Sequence, residues 1–183
     1  MVADVSELNG RAPRRSFVDL FAGAGGISEG FRQAGWPSHR RVGHRPRRLC
    51  TYRCNFPEAT PLWGDIRAAE LSARLVELAG QVDVVAGGPP CQGFSQVRNH
   101  ARLIDDPKNS LYREFVKLVA TLEPKAFVME NVPGMAQMGV LQQVEFDLSC
   151  GGRYLVHAMM LDAANFGVPQ TRKRIIFIGF YRM

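Results

Sequence analysis

The 183-residue sequence contains no apolar run of the ~18 residues that a membrane-spanning helix needs. Its N-terminal MVADVSELNGRAPRRS also lacks the apolar middle of a signal peptide. The chain therefore reads as cytoplasmic. Cysteine is scarce: Cys50, Cys54, Cys91 and Cys150 form no C-x2-C pair and have no histidine at zinc-finger spacing. The sequence accordingly predicts free thiols, with neither a metal site nor a disulfide framework. No G-x-G-x-x-G run is present, which removes the specific signal for a nicotinamide cofactor. There is no internal repeat and no low-complexity linker, so one domain is expected at this length and 46% apolar content.

Acid is missing from one stretch in particular. WPSHRRVGHRPRRLC, from Trp36 to Cys50, holds Arg40, Arg41, Arg45, Arg47 and Arg48 without a single carboxylate. The formal charge of +6 comes from 23 basic and 17 acidic residues, and removing those five arginines leaves 18 against 17. The basic character that would suggest a polyanionic partner is thus local.

What is present is an alternation of strand and helix signals. Residues 1–15 are polar and aperiodic and read as a flexible tail. SFVDLFAG is a short apolar run with β-branched and aromatic residues that enters a glycine-rich turn, and ISEGFRQAG follows with helical spacing through Ile27 and Phe31. VDVVAGG (82–88) and KAFVMEN (125–131) are two further strands that look buried. IRAAELSARLVELAG reads as a helix before the first of them. NSLYREFVKLVATLEP reads as an amphipathic helix between them, with Leu111, Phe115, Leu118 and Leu122 on one face and Pro124 beyond its end. KRIIFIGFYRM is a final strand. Such alternation predicts an α/β domain with a mostly parallel sheet covered by helices on both faces. Ligands bind at the carboxyl edge of such a sheet, so the loops that follow its strands should converge on one rim.

Four loops carry candidate chemistry. In FAGAGG (21–26) the glycines stand between strand and helix, where the backbone can approach a ligand and the helix N-terminus favours negative charge; a tight structural turn explains them equally well. In GGPPCQGFSQ (87–96), Cys91 stands on a stiff loop at a strand end, which suits an exposed nucleophile, although cysteine is often only a small hydrophobe. No histidine is placed to activate it. An unassisted thiol of pKa near ~8.5 would need a substrate made electrophilic on binding. In MENVPGM, Glu130 ends a strand, as a helix cap or solvated charge, or else as a partly desolvated acid able to protonate a ring nitrogen. In NFGVPQTRKR, Gln170, Arg172 and Arg174 stand at every second position and so would share one strand face, as a carbonyl or phosphate clamp or as charges guarding an edge strand.

Taken in order, FAGAGG, GDI (64–66), PPCQGFS, ENVPGM and QTRKR resemble the cytosine-C5 DNA methyltransferase family, over about Phe17 to Tyr181. The resemblance implies a Rossmann-like S-adenosylmethionine-dependent methyltransferase fold, with 16–183 a partial catalytic domain, incomplete at its C-terminus. It also implies S-adenosylmethionine as cofactor and, as acceptor, a cytosine flipped out of double-stranded DNA in a restriction-modification setting. Cys91 would then attack ring carbon 6, Glu130 would engage ring nitrogen 3, and Arg172 and Arg174 would hold the base carbonyl and neighbouring phosphates. Gln92, Ser95, Asn131 and Gln170 would support the substrate. Phe21, Ala22, Gly23, Gly25 and Gly26 would line the cofactor's methionine side, Asp65 and Ile66 its adenine, and Pro89 and Pro90 the loop between the two ligands.

The sequence departs from the family pattern twice. After the first helix, family members carry a strand ending in an acid that binds the cofactor's ribose, in an acid-x-Asp-Pro pattern followed by Thr-Tyr and Asn-Phe-Pro. Here TYRCNFP (51–57) and Pro46 are in place, but Gly43 stands at the acid and Arg45 at the Asp. Losing a charge-assisted hydrogen bond of ~1.5–3 kcal/mol weakens binding roughly ten- to a hundredfold. Family-like sequence resumes without a change in length, as a compensated reading-frame slip over about residues 37–50 would produce. The second departure is the absence of a target-recognition domain and final helix, which suggests a separately encoded C-terminal half as partner. The competing readings are a catalytically impaired remnant or binding subunit, and a cytosine-C5 methyltransferase acting on tRNA.

Overall fold

The computed structural model describes residues 15–36, 40–43, 46–90 and 110–182. Among the described residues seven strands form one sheet in the order β3-β2-β1-β4-β5-β7-β6. They are β1 (Phe17–Leu20), β2 (Arg40–Gly43), β3 (Thr60–Trp63), β4 (Val84–Gly87), β5 (Ala126–Asn131), β6 (Tyr154–Asp162) and β7 (Lys173–Tyr181). Among the described residues five α-helices connect or flank them: α1 (Gly26–Gln33), α2 (Pro46–Asn55), α3 (Ala69–Val76), α4 (Ser110–Leu122) and α5 (Met138–Leu148). Strands β1 to β5 pair in parallel, whereas β7 runs antiparallel to both β5 and β6. The sheet is therefore mostly parallel, as the strand-helix alternation predicts.

Strand alternation sorts the core. In β1, Val18 and Leu20 join the large apolar cluster built with α3, α4 and α5. Phe17 and Asp19 point the other way, where Phe17 stacks on Phe31 of α1 at 4.5 Å between ring centroids. Helix α4 buries Tyr112, Phe115, Leu118, Val119 and Leu122, with Leu111 at the margin of the same cluster. A smaller cluster of Ala22, Tyr52, Phe56 and Ala59 seats α2 beside the glycine-rich turn.

The arginine-rich segment does form the strand whose replacement the sequence suggested. Residues Arg40–Gly43 pair with β1 on one side and β3 on the other. Sheet hydrogen bonds belong to the backbone, so pairing on both sides is compatible with arginine where apolar residues are expected.

Two consequences of this topology place the site. Strand order reverses between β1 and β4, so their carboxyl ends open a crevice at the switch point. Gly87 lets these two strands approach: a Cβ there would lie 2.4 Å from the Leu20 carbonyl oxygen. Because β7 is antiparallel, its beginning lies beside the end of β5, with Asn131 paired to Ile175. Hence QTRKR reaches the rim although it leads into its strand.

Candidate active site

The last two residues of β5 organise the rim. Asn131 is buried; its side-chain amide donates to the Pro89 carbonyl at 3.1 Å, and its own carbonyl accepts from the Val132 N–H at 2.8 Å. That contact ties the Gly87–Pro90 segment to β5. Glu130, half-buried, pairs with Arg174 at 2.7 Å (Nε to Oε1) and with Arg172 at 3.7 Å. Gly88 lies directly against it, since an added Cβ would be 2.9 Å from Glu130 Oε2. Three elements thus bring one carboxylate and two guanidiniums together beside the prolines that precede Cys91. Cys91, Gln92 and Ser95 themselves lie outside the described residues.

The clamp differs from its period-two reading. Strand β7 begins at Lys173, so only Arg174 is positioned by strand geometry. Arg172 reaches Glu130 from the preceding turn, and Gln170 remains exposed in that turn. Asp162, which the sequence gave no reason to single out, organises this turn from the end of β6: its carboxylate accepts from the Arg172 N–H at 2.9 Å and from the Ala164 N–H at 3.2 Å. An Asx-type role of this kind leaves only a lone Asp as its signal. Phe166 and Val168 on the same turn are largely exposed.

The glycine-rich turn occupies the switch point. Phe21, Gly23 and Gly25 all have left-handed backbone conformations, with φ of 64°, 59° and 103°. Phe21 does so despite carrying a side chain, a strain of the sort that persists at ligand-binding turns. Ala22 is buried, and Gly26 opens α1, whose N-cap Gly25 offers no side-chain cap. The first N–H groups of α1 therefore have no side chain of the cap residue on them. Beneath the turn Asp19 is wholly buried, and burial pushes its carboxyl up to about 7 against the opposing hydrogen bonds from Ser28.

Asp65 and Ile66 follow β3. Ile66 is buried, but Asp65 is engaged by its own neighbour: Arg67 donates to both carboxylate oxygens, at 2.9 Å from Nε and 2.5 Å from Nη2. Gly43 ends β2 at the position where an acid is expected. Among the described residues no cluster of three His, Cys, Asp or Glu can hold a metal, Cys50, Cys54 and Cys150 are free, and no helix is long and apolar enough to cross a membrane.

Known proteins resemble this chain along most of its length. Residues 15–182 match the family model of the C-5 cytosine-specific DNA methylase. Type II methyltransferase M1.HphI of Haemophilus parahaemolyticus is 43% identical over 173 residues, which cover 90% of this chain and 45% of that protein. M.AgeI of Thalassovita gelatinovora is 40% identical, covering 88% and 38%. M.AquIA of Picosynechococcus is 35% identical over 179 residues, covering 90% of this chain and 71% of that protein. The chain thus spans less than half the length of the first two relatives. A prophage-encoded E. coli protein assigned as a DNA modification methyltransferase superposes with a TM-score of 0.74 at 32% identity, over 91% of this chain and 47% of that one. Spodoptera frugiperda DNMT2 shares the fold, with a TM-score of 0.68 at 20% identity.

Proposed function

Because the chain belongs to the C-5 cytosine-specific DNA methylase family, we propose that it is the catalytic portion of an enzyme that methylates carbon 5 of a cytosine flipped out of double-stranded DNA. The observation that carries this reading is the joint placement of Glu130, Arg172 and Arg174 against the segment leading to Cys91, through Asn131 and Pro89. In this reading a base held at Glu130 has its hydrogen-bonding acid there, and Cys91, which follows Pro90 in sequence, supplies the nucleophile.

The glycine-rich turn fits the methionine side of S-adenosylmethionine: its left-handed residues open the end of β1 at the switch point, and Gly23 has space around an added Cβ. Phe21, Ala22, Gly23, Gly25 and Gly26 would line that side, with Ile66 and Asp65 toward the adenine and Pro89 and Pro90 between the ligands. When bound, S-adenosylmethionine supplies an electrophilic methyl group. Cys91 would add as thiolate through sulfur to carbon 6 of the cytosine, which makes carbon 5 nucleophilic toward the donor's methyl group; once carbon 5 carries the methyl, loss of its proton to water would expel the Cys91 thiolate and restore the ring. Glu130 would deliver a proton to ring nitrogen 3 and so offset the negative charge that addition of the sulfur puts there. Arg174, fixed by β7, keeps Glu130 in place, and Arg172 on the looser turn faces the base carbonyl or a phosphate. Gln92, Ser95 and Gln170 would support the extruded nucleotide.

A second reading, a non-catalytic subunit or impaired remnant, is favoured by one observation: β2 ends in Gly43 where the donor's ribose would need an acid. Methyl transfer from tritiated donor to DNA separates the two. Incorporation is expected once a separately produced C-terminal half of a relative is supplied, and it should vanish in Cys91→Ser. Incorporation by this chain alone would exclude the non-catalytic reading, and no incorporation under either condition would overturn the enzymatic one. Running tRNA beside DNA tests the substrate.

A further inference from the structure

The glycine-rich turn is held from behind by a line of buried polar groups. Asp19 of β1 is wholly buried and faces α1. The Ser28 hydroxyl donates to Asp19 Oδ2 at 2.6 Å, and the Tyr52 hydroxyl donates to Ser28 Oγ at 2.7 Å. Asp19 Oδ1 has no hydrogen-bond partner among the described residues. A buried carboxyl with one oxygen unpartnered is costly, and apolar side chains of the same shape would pack there more cheaply. The arrangement calls for a purpose other than stability.

Its position supplies one. The line runs from β1 through α1 to α2 and so brackets the turn at both of its ends. Helix α2 completes the bracket with one face, at positions i, i+3 and i+4. The Asn55 side-chain amide donates to the Ala24 carbonyl at 3.2 Å. The Tyr52 and Phe56 rings lie against Gly25, where an added Cβ would be 3.1 Å from Tyr52 and 2.4 Å from Phe56. Between these anchors sit the three left-handed residues, Phe21 among them, which an unsupported chain would leave readily.

The geometry points to Asp19, Ser28 and Tyr52, together with Asn55, as positioning residues that hold the donor-binding turn in its strained conformation. This rests on the reading above that the turn receives the methyl donor. None of the four acts on a reacting atom. Their effect is on donor affinity, and turnover at saturating donor should change little. Because burial raises the Asp19 carboxyl to about 7, an amide that still accepts from Ser28 is an adequate substitute near neutrality.

The test combines backbone hydrogen exchange with titration of S-adenosylhomocysteine, to several-millimolar concentrations, on the chain and its variants. Tyr52→Phe and Ser28→Ala each remove one hydroxyl. Both are expected to speed exchange of the 21–27 amides by roughly three- to tenfold, the range of one neutral hydrogen bond, while the amides of β5 and β7 stay unchanged. Ligand affinity should fall by a similar factor. Asp19→Asn should remain within about twofold of wild type on both readouts, by retaining the acceptor for Ser28. Turn exchange unchanged in both hydroxyl deletions, or raised equally across the whole sheet, would overturn the inference. Faster turn exchange with unaltered affinity removes the role assigned to these residues while leaving the donor site intact. Absence of any binding by the wild-type chain removes the donor site itself and, with it, this purpose.

Discussion

Arg174 Nε lies 2.7 Å from Glu130 Oε1, across two neighbouring strands that run in opposite directions. Arg172 contributes a second, looser guanidinium at 3.7 Å from the same oxygen. The carboxylate is therefore aimed by β7 and is not a solvated loop charge. In a complemented enzyme, Glu130→Gln is expected to lower single-turnover methyl transfer by ~10²–10⁴, the span of a lost general acid, with donor binding retained. Arg174→Lys should also slow transfer, since an ammonium cannot reproduce the planar contact. Wild-type rates for Glu130→Gln would remove Glu130 from the reaction.

Two glycines separate catalysis from folding. At Gly88 an added Cβ meets the Glu130 carboxylate at 2.9 Å, the movable end of a side chain. Gly88→Ala is expected to displace Glu130 and cut transfer while the thermal midpoint shifts little. At Gly179 the same atom would lie 2.0 Å from the wholly buried Phe127 ring. Gly179→Ala should destabilise the fold by ~1–3 kcal/mol, as overpacking does. Denaturation midpoints and transfer rates of the two variants, measured side by side, should show opposite patterns.

Asp19 makes stability depend on pH with a definite sign. Its carboxyl is raised from 3.8 to about 7 by burial, so between those values the folded chain holds a proton that the unfolded chain has lost. The stability this contributes is complete below about pH 4 and is lost as pH rises to about 7, a change on the order of 4 kcal/mol. Asp19→Asn has no such loss. The difference in thermal midpoint, variant minus wild type, should grow from pH 4 to pH 7 and then level off. A difference independent of pH would show that the Asp19 carboxyl is not raised.

Gly43 ends β2 beside the switch point, in a segment read as the product of a compensated frame slip. Gly43→Glu is expected to tighten donor binding roughly ten- to a hundredfold by restoring a charge-assisted hydrogen bond to the ribose. Equilibrium dialysis with labelled S-adenosylmethionine reads this directly. Independently, translating the codons for residues 37–50 in the two other frames should produce an apolar strand with an acid near position 43. Failure in both frames would end the frame-slip explanation.

The strands around Phe17–Leu20, Val84–Gly87 and Ala126–Asn131 were legible because short, largely apolar runs followed by glycine- or proline-bearing loops mark core strands; β1 and β4 are buried along their whole length, whereas β5 alternates between buried and half-buried residues. Helix α4 was legible from its apolar stripe. Helix α5 and strand β6 were not foreseen. Val140, Val144 and Leu148 of α5 do repeat at i, i+4 and i+8, but the segment MGVLQQVEFDL starts after Gln137 with no capping side chain, and only Gly151 and Gly152 mark its end. Strand β6 sits at the sheet edge, so its outward residues include Leu155 and Met159 and its alternation is blurred.

Composition and local pattern were enough to determine an α/β chain whose chemistry-bearing loops stand at strand ends, and to bring Glu130, Arg172 and Arg174 under suspicion, because periodicity and turn residues are properties of neighbours along the chain. Only the tertiary structure decided that β7 turns back antiparallel to β5 and so delivers Arg174 to Glu130. It alone also decided that Asp162 holds the Arg172 backbone and that Asp19, Ser28 and Tyr52 line up behind the glycine-rich turn. Each of these contacts joins residues distant in sequence, and their partners are selected by strand order and burial, which no local pattern encodes.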